Sequence, residues 1–490
     1  ADAFFVAFRF PNLFRRLFGE GAFNSAFIPL FAKRLEGEGE GEARRFAEEA
    51  MSVLFFSLLV LSIIMVLAMP WLMVLLAPGF VQNPAKYDLA VLLSQIAFPY
   101  LLCMSLAALL SGILNSLNRF WVAAAAPILL NIVLITAISL AIWLGFSQRF
   151  GAGIILAVGV AIAGVAQFMM LWIAVRAAGL KLSLRRPRYT AGVKRLVELG
   201  IPGVIAGGIT QINIVIGTMI ATLQAGAVSY LYYADRLYQL PLGIVGVAIG
   251  VVLLPELSRK LRAGEHATAM DSQNRSLEVA LLLTIPAAVA LAIAAEPIIR
   301  VLFERGAFTA VDTAATAPAL AAFAIGLPAF VLIKVFQPAF FAREDTKTPM
   351  RYAAVNMAVN VIGSLALFFT FKEMGRPPHV GIALATSIAG WVNALLLWAT
   401  LRHRGDFVGD RRLLRNLPII TAASLAMGAA VWFAIPQLAP YFSAEAILPV
   451  QALALAAIVM LGLFVFFGLT LATGVLDLRR VVGMARGRTV

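Results

Sequence analysis

Met51–Leu67, MSVLFFSLLVLSIIMVL, and Ala452–Leu471, ALALAAIVMLGLFVFFGLTL, are apolar all the way round, with no charge to mark a wet face. A helix of about 20 such residues spans the roughly 30 Å hydrocarbon core of a bilayer. A membrane barrel would need segments of about ten residues that alternate apolar and polar, and these runs do not alternate. The rest of the chain repeats their character. Of its 490 residues 61% are hydrophobic and 13% charged, with a mean hydropathy of +0.92, more apolar surface than a water-soluble fold can hide. The fold class expected is an all-α polytopic membrane protein. Hydropathy places its helices near 2–33, 47–77, 87–115, 119–145, 151–177, 190–222, 225–256, 268–303, 310–342, 347–372, 379–404, 412–436 and 446–476.

Several function classes drop out. Cys103 is the one cysteine and lies inside a span; His266, His379 and His403 fall singly in loops, so no disulfide scaffold or Cys/His metal centre is expected. The loops are short, none beyond about twenty residues, and no GxxxxGK[ST] phosphate loop occurs. No catalytic residue, metal or cofactor is expected, and the chain reads as a transporter rather than an enzyme.

The formal net charge of +14 is distributed by side. Counting alternate loops, 28 lysines and arginines lie on one face and 5 on the other, which by the positive-inside rule makes the first face cytoplasmic together with the C-terminus. That placement argues against nucleic acid as a partner. The most basic stretch, Arg176–Arg195, reads as a topology anchor against anionic lipid, and Glu36–Glu42, alternating Glu and Gly, as a solvated loop.

The chain also repeats itself. Ile28–Leu35 precedes Leu254–Leu261 by 226 residues, and Pro99, Ala124, Ala125 and Asn131 precede Pro328, Ala353, Ala354 and Asn360 by 229. A repeat of six helices returns to its starting side, so the copies are parallel, an arrangement of transporters that rock two lobes about a central cavity. The expected domains are an N-terminal lobe over 1–177 with five of six helices, a C-terminal lobe of six helices over 178–405, and two additional helices with a cytoplasmic tail over 406–490. The first copy shows no counterpart of helix 190–222, so thirteen helices read as a fourteen-helix protein without its native first helix.

Charges inside spans carry the functional reading, because each costs on the order of 2.5–3.5 kcal/mol at a helix centre by insertion scales. Arg300 follows Glu296 by four and reads as a local ion pair, and Arg9 as a snorkelling residue. Arg15 and Arg16 lie midway along helix 2–33, between Asp2 and Glu20, and Arg236 occupies the corresponding helix of the second copy, beside Asp235. Guanidinium forks that stay charged in low dielectric suit a phosphate or pyrophosphate, with structural pairing to Asp2, Glu20 or Asp235 as the plainer reading. Lys334 has no acid within pairing reach along its own helix, where Asp312 lies 22 residues away, and Glu20 is the partner expected across the lobes as a gate.

At these residues the chain resembles the MurJ (MviN) family of lipid II flippases, in the multidrug/oligosaccharidyl-lipid/polysaccharide exporter superfamily. The strings that carry the resemblance are DAFFVAFRFPNLFRRLFGEGAFNSAFIP (Asp2–Pro29), APGF (Ala77–Phe80), YYADRLYQLP (Tyr232–Pro241) and REDTKTP (Arg343–Pro349). The resemblance implies two six-helix lobes and a C-terminal pair that extends a groove for a polyprenyl tail. It implies that Arg15 and Arg236 line a cationic central cavity, with Asp2 near the periplasmic gate and Glu20 near the cytoplasmic one; Arg16, beside Arg15, joins them as a substrate-binding candidate by its position. Some members bind sodium between helices matching 190–222, 347–372 and 379–404; here Asn213, Asn356, Asn360 and Thr386 offer oxygens, although amides and hydroxyls also simply join membrane helices. Gln239 stands where relatives can carry an acid.

The expected function is translocation of lipid-linked peptidoglycan precursor from the cytoplasmic to the periplasmic leaflet of a bacterial inner membrane, by a monomer in contact with lipid-linked oligosaccharide and membrane lipid, driven by Na+ or the membrane potential. Rival readings are a polysaccharide-lipid flippase, a drug/cation antiporter, which would favour cavity acids over arginines, and a membrane-embedded glycosyltransferase, which would need a larger outer loop for its catalytic acid.

Overall fold

A computed structural model describes residues 1–15, 22–146, 150–443 and 446–476, and among them every regular element is a helix. In lipid, each backbone N–H and C=O must find a partner within the protein, which favours exactly this outcome over open strands. By packing the chain divides into two compact units, Ala1–Ser229 and Tyr230–Val490.

The first unit holds α1 (Asp2–Arg15), α2 (Ala22–Gly37), α3 (Glu40–Leu76), α4 (Pro84–Ala97), α5 (Tyr100–Ser116), α6 (Phe120–Trp143), α7 (Phe150–Ala177) and α8 (Ala191–Ala221). The chain leaves it in α9 (Ala227–Pro241). A π-helical turn at Leu242–Val247 then leads into α10 (Ala248–Arg262), α11 (His266–Ile293), α12 (Ala295–Phe303), α13 (Ala310–Phe341), α14 (Lys347–Glu373), α15 (Pro378–His403), α16 (Arg411–Leu438) and α17 (Leu448–Ala472).

All thirteen expected spans are present as helix or as helix pairs. Three are subdivided: Phe98 and Pro99 separate α4 from α5, the π turn separates α9 from α10, and Ala294 separates α11 from α12, while of span 2–33 the described residues form α1 and α2. Ten stretches among the described residues are long and apolar enough to cross a membrane. Their outer faces show what lipid must cover, with Leu67 68% and Phe464 79% exposed.

Proline positions show how the backbone rule is met inside a span. Pro70 in α3 has no N–H for the carbonyl of Val66 one turn earlier, and the Gln95 side-chain amide of α4 donates to that carbonyl at 3.0 Å. The Tyr87 hydroxyl donates to the Pro70 carbonyl itself.

In the second unit α13 lies between α11 and α15 and is the most deeply buried of the ten spans. Without a hydrophobic driving force between helices in lipid, close approach depends on small residues. Gly326 supplies one, since a Cβ there would lie 2.8 Å from the Ser387 Cα, while the Ser387 hydroxyl donates to the Ala322 carbonyl at 2.6 Å.

Three expectations change. The Glu36–Glu42 loop shrinks to Glu38 and Gly39, because α3 starts at Glu40 and its Arg44–Glu48 and Arg45–Glu49 pairs at helical spacing support a helix that extends into water. None of the three histidines is in a loop: His266 opens α11, His403 closes α15, and His379 occupies the first turn of α15, fully buried, with Nε2 2.7 Å from the Ala315 carbonyl. Helix α8, which the repeat assigns to the second copy, packs by contact with α2 and α3 of the first unit.

Two predictions come from this packing. Gly326→Ala should push α13 from α15 and destabilise the protein by about 1–3 kcal/mol, read as a lower unfolding midpoint in detergent; an unchanged midpoint would show that the contact can relax. The second concerns Asp345, in the turn between α13 and α14, where the Thr348 hydroxyl and amide, followed by Arg404 at 2.8 Å, hold the carboxyl down from 3.8 to about 2. A depressed folded value stabilises the fold above the unfolded value and is lost as pH falls through the folded one. The melting difference between the natural chain and Asp345→Asn should therefore stay constant from pH 7 to about 4 and close as pH approaches about 2.

Candidate functional site

The first cluster is built around Asp2 at the start of α1. Its side chain is buried, and Lys86 of α4 reaches Oδ2 at 2.7 Å. The backbone amide of Gly226 donates to Oδ2 at 2.9 Å, and Ser229 donates both its amide, at 3.1 Å, and its hydroxyl, at 2.6 Å, to Oδ1. These amides belong to the opening of α9, where helix geometry leaves N–H groups without intrahelical partners and the helix dipole favours a negative charge. Asp2 thus caps, from a distant part of the chain, the helix that carries Arg236.

The APGF turn packs beside it. Gly79 donates its amide to the Thr222 hydroxyl at 3.2 Å, and any Cβ on Gly79 would run into the Thr222 carbonyl, so this position requires glycine for close approach. Lys86 also lies over the Phe80 ring, 4.3 Å from its centre.

Arg236 is exposed on α9. Its Nη2 donates to the Tyr232 hydroxyl at 2.8 Å and its guanidinium lies 4.8 Å from the centre of the same ring. Asp235, the neighbouring acid, accepts from the Gln239 amide, so the residue that replaces an acid in this string is tied to the one next to Arg236. A planar cation held at one edge by a phenol keeps other N–H groups for an anion.

The remaining sequence candidates are placed as follows. Arg15 ends α1, but its side chain, and the whole of Arg16 and Glu20, lie outside the described residues. Lys334 is exposed on the largely buried α13, between buried Ile333 and Val335, and makes no ion pair among the described residues. Gly246, in the π turn, makes room for its stem, since a Cβ there would lie 3.4 Å from the Lys334 Cγ. Arg9 donates to the Thr218 hydroxyl, and Arg300 bridges Glu296 at 2.7 Å and Glu304 at 3.3 Å as a structural triad.

Of the four oxygen donors considered for a cation, the structure joins two. The Thr386 hydroxyl donates to the Asn360 side-chain oxygen at 3.1 Å, and Ser364 donates to the same atom at 3.3 Å. Asn356 is half-buried on α14, and Asn213 belongs to the first unit. A different feature suits an acyl chain: α11, α16 and α17 enclose an apolar groove, with Leu282, Pro286, Met427, Ile458, Gly462 and Phe466 along it.

The family that this geometry belongs to is settled by comparison. The lipid II flippase MurJ family matches residues 1–474. The chain belongs to that family. Among its relatives, the probable lipid II flippase MurJ of Rhizobium meliloti (strain 1021) is 50% identical over 475 residues, covering 97% of this chain and 88% of the relative. The lipid II flippase MurJ of Burkholderia cenocepacia is 35% identical over 448 residues, covering 89% and 83%. Among solved structures, a lipid II flippase MurJ in an inward closed conformation superposes with a TM-score of 0.77 at 27% identity, over 96% of this chain and 91% of that one. An inward-facing multidrug transporter of the MATE family, at a TM-score of 0.65 and 16% identity over 83% and 93%, shares the fold.

Two features of the candidate site escaped the sequence. Tyr232 was legible in principle, standing four residues before Arg236 on one helical face. The partners of Asp2 carried no such signal, because they lie 84, 224 and 227 residues away.

Replacing Asp2 with Ala should leave the Gly226 and Ser229 amides unsatisfied and Lys86 unpaired, at about 1–3 kcal/mol for each buried group stranded. Hydrogen exchange at the first turn of α9 should accelerate at least tenfold, with the second unit unchanged; equal acceleration throughout would point to global unfolding instead.

Proposed function

We propose that this chain carries lipid II from the cytoplasmic to the periplasmic leaflet of the bacterial inner membrane by alternating access, with no covalent chemistry. The observation that carries the reading is a family match across residues 1–474 in a chain that presents an exposed arginine, Arg236, on a membrane helix. The substrate joins a pyrophosphate to a polyprenyl tail, and the chain offers chemistry for each. Guanidinium groups of Arg236, Arg15 and Arg16 bind the pyrophosphate oxygens in pairs, and Tyr232 holds Arg236 in the orientation to do so. The apolar groove of α11, α16 and α17 takes the tail. Asp2 and Lys86 latch the periplasmic side, Glu20 and Lys334 the cytoplasmic side, and a sodium gradient or the membrane potential supplies the energy.

The test is rescue of cells depleted of their own lipid II flippase, paired with translocation of lipid II in proteoliposomes. The natural chain should rescue, Arg236→Ala should lower translocation at least tenfold, and Arg236→Lys should restore only part, because an ammonium keeps the charge and loses the fork. Rescue that survives Arg15→Ala combined with Arg236→Ala would overturn the assignment of the binding groups. Failure to move lipid II, with movement of another polyprenyl-linked saccharide, would replace the cargo.

A further inference from the structure

Between α7 and α8 the chain runs through residues 178–190 without helix, yet it is firmly held. Leu180 and Leu182 turn inward and join Ala43, Phe46 and Ala47 of α3. The Glu48 carboxylate, fully buried, accepts the Ser183 amide at 3.0 Å and hydroxyl at 2.9 Å, and pairs with Arg185 at 2.6 Å. The Ser52 hydroxyl accepts the Arg185 amide at 2.9 Å, and Thr190 donates to Glu49 at 2.7 Å. Two buried leucines and a buried carboxylate make a fixed strap of a segment that the sequence reads as a basic topology anchor.

What the strap turns outward is uniform in charge. Lys181, Arg186 and Arg188 are exposed, flanked by Arg176 and Lys194, and none of the five forms an ion pair among the described residues. The nearby acids are already engaged, Glu48 by Arg44 and Arg185, Glu49 by Arg45, and Glu198 by Arg195. Interleaved with the cations are Leu184, 50% exposed, and Tyr189, 67% exposed. Unpaired basic residues alternating with an outward aliphatic and an outward tyrosine match the headgroup layer of a membrane, where charge meets phosphate and the apolar groups enter the acyl boundary.

We propose that the strap Lys181–Tyr189 is a docking site for anionic phospholipid headgroups of the leaflet on the chain's basic side, with Glu48 as the residue that holds it in shape. This rests on the membrane reading and not on the cargo.

The test uses the full chain in nanodiscs, with Cys103→Ala as background and an environment-sensitive fluorophore on Pro187→Cys, between the two arginines. Spin-labelled phosphatidylglycerol should quench the fluorophore more than spin-labelled phosphatidylcholine, and added salt should reduce the difference. Arg186→Gln and Arg188→Gln, at exposed positions without partners, should each lower that preference roughly fivefold. Glu48→Gln keeps every strap cation and should also lower the preference by loosening the strap; should this variant misfold, the arginine pair still decides. Equal quenching by the two lipids, or a preference unchanged in the double glutamine variant, would overturn the proposal. A fluorophore open to aqueous iodide in anionic discs would overturn it too, and would leave an acidic protein as the occupant. Translocation measured in the same discs separates the two readings, since lost transport with intact lipid preference bears on the cargo alone.

Discussion

Every part of this structure depends on one constraint: a backbone polar group within the bilayer has no water to fall back on. Helices meet that constraint along most of their length, and the informative places are where they cannot. At Pro70 an amide hydrogen is missing, and Gln95 from the next helix replaces it. At the start of α9 the free amides meet the carboxylate of Asp2. In both cases a backbone deficit in one helix becomes a specific bond to another, so the departures from ideal helix also fix how neighbouring helices sit.

The same logic sorts the intramembrane charges. Arg300 lies between two glutamates of its own helical neighbourhood and is structurally accounted for. Arg236 has a phenol as its partner, and Lys334 is exposed on a helix most of whose residues are buried. A cation paired with acid is largely neutralised, whereas one positioned by a neutral group keeps its charge available to an anionic ligand. By that difference Arg300 is a structural charge, while Arg236 keeps N–H groups open to an anion.

How much was legible in the sequence follows from the range of the forces involved. Spans are set by runs of adjacent apolar residues; helix forms at all thirteen expected places, and ten stretches among the described residues are long and apolar enough to cross a membrane. The Arg300 pairing was visible because its partner lies one turn away. Subdivision within spans was harder to see, because Pro99 and Ala294 break helices in only one of several contexts where such residues occur. The environment of Asp2 was not visible at all, since it gathers three segments far apart in the chain. The repeat and the packing also divide the chain at different points, with α8 belonging to the second copy by sequence and to the first unit by contact. Arg16 and Glu20 fall outside the described residues.

The long reach of Asp2 has a consequence for biogenesis. Ribosomes add about 5–20 residues per second, so the Ser229 that satisfies Asp2 is made roughly 10–45 s after it. During that interval α1 through α8 enter the membrane while the carboxylate awaits its caps. Helix α1 is therefore made long before its carboxylate is satisfied, and the first unit can reach its final packing only when the chain has begun the helix that leads out of it.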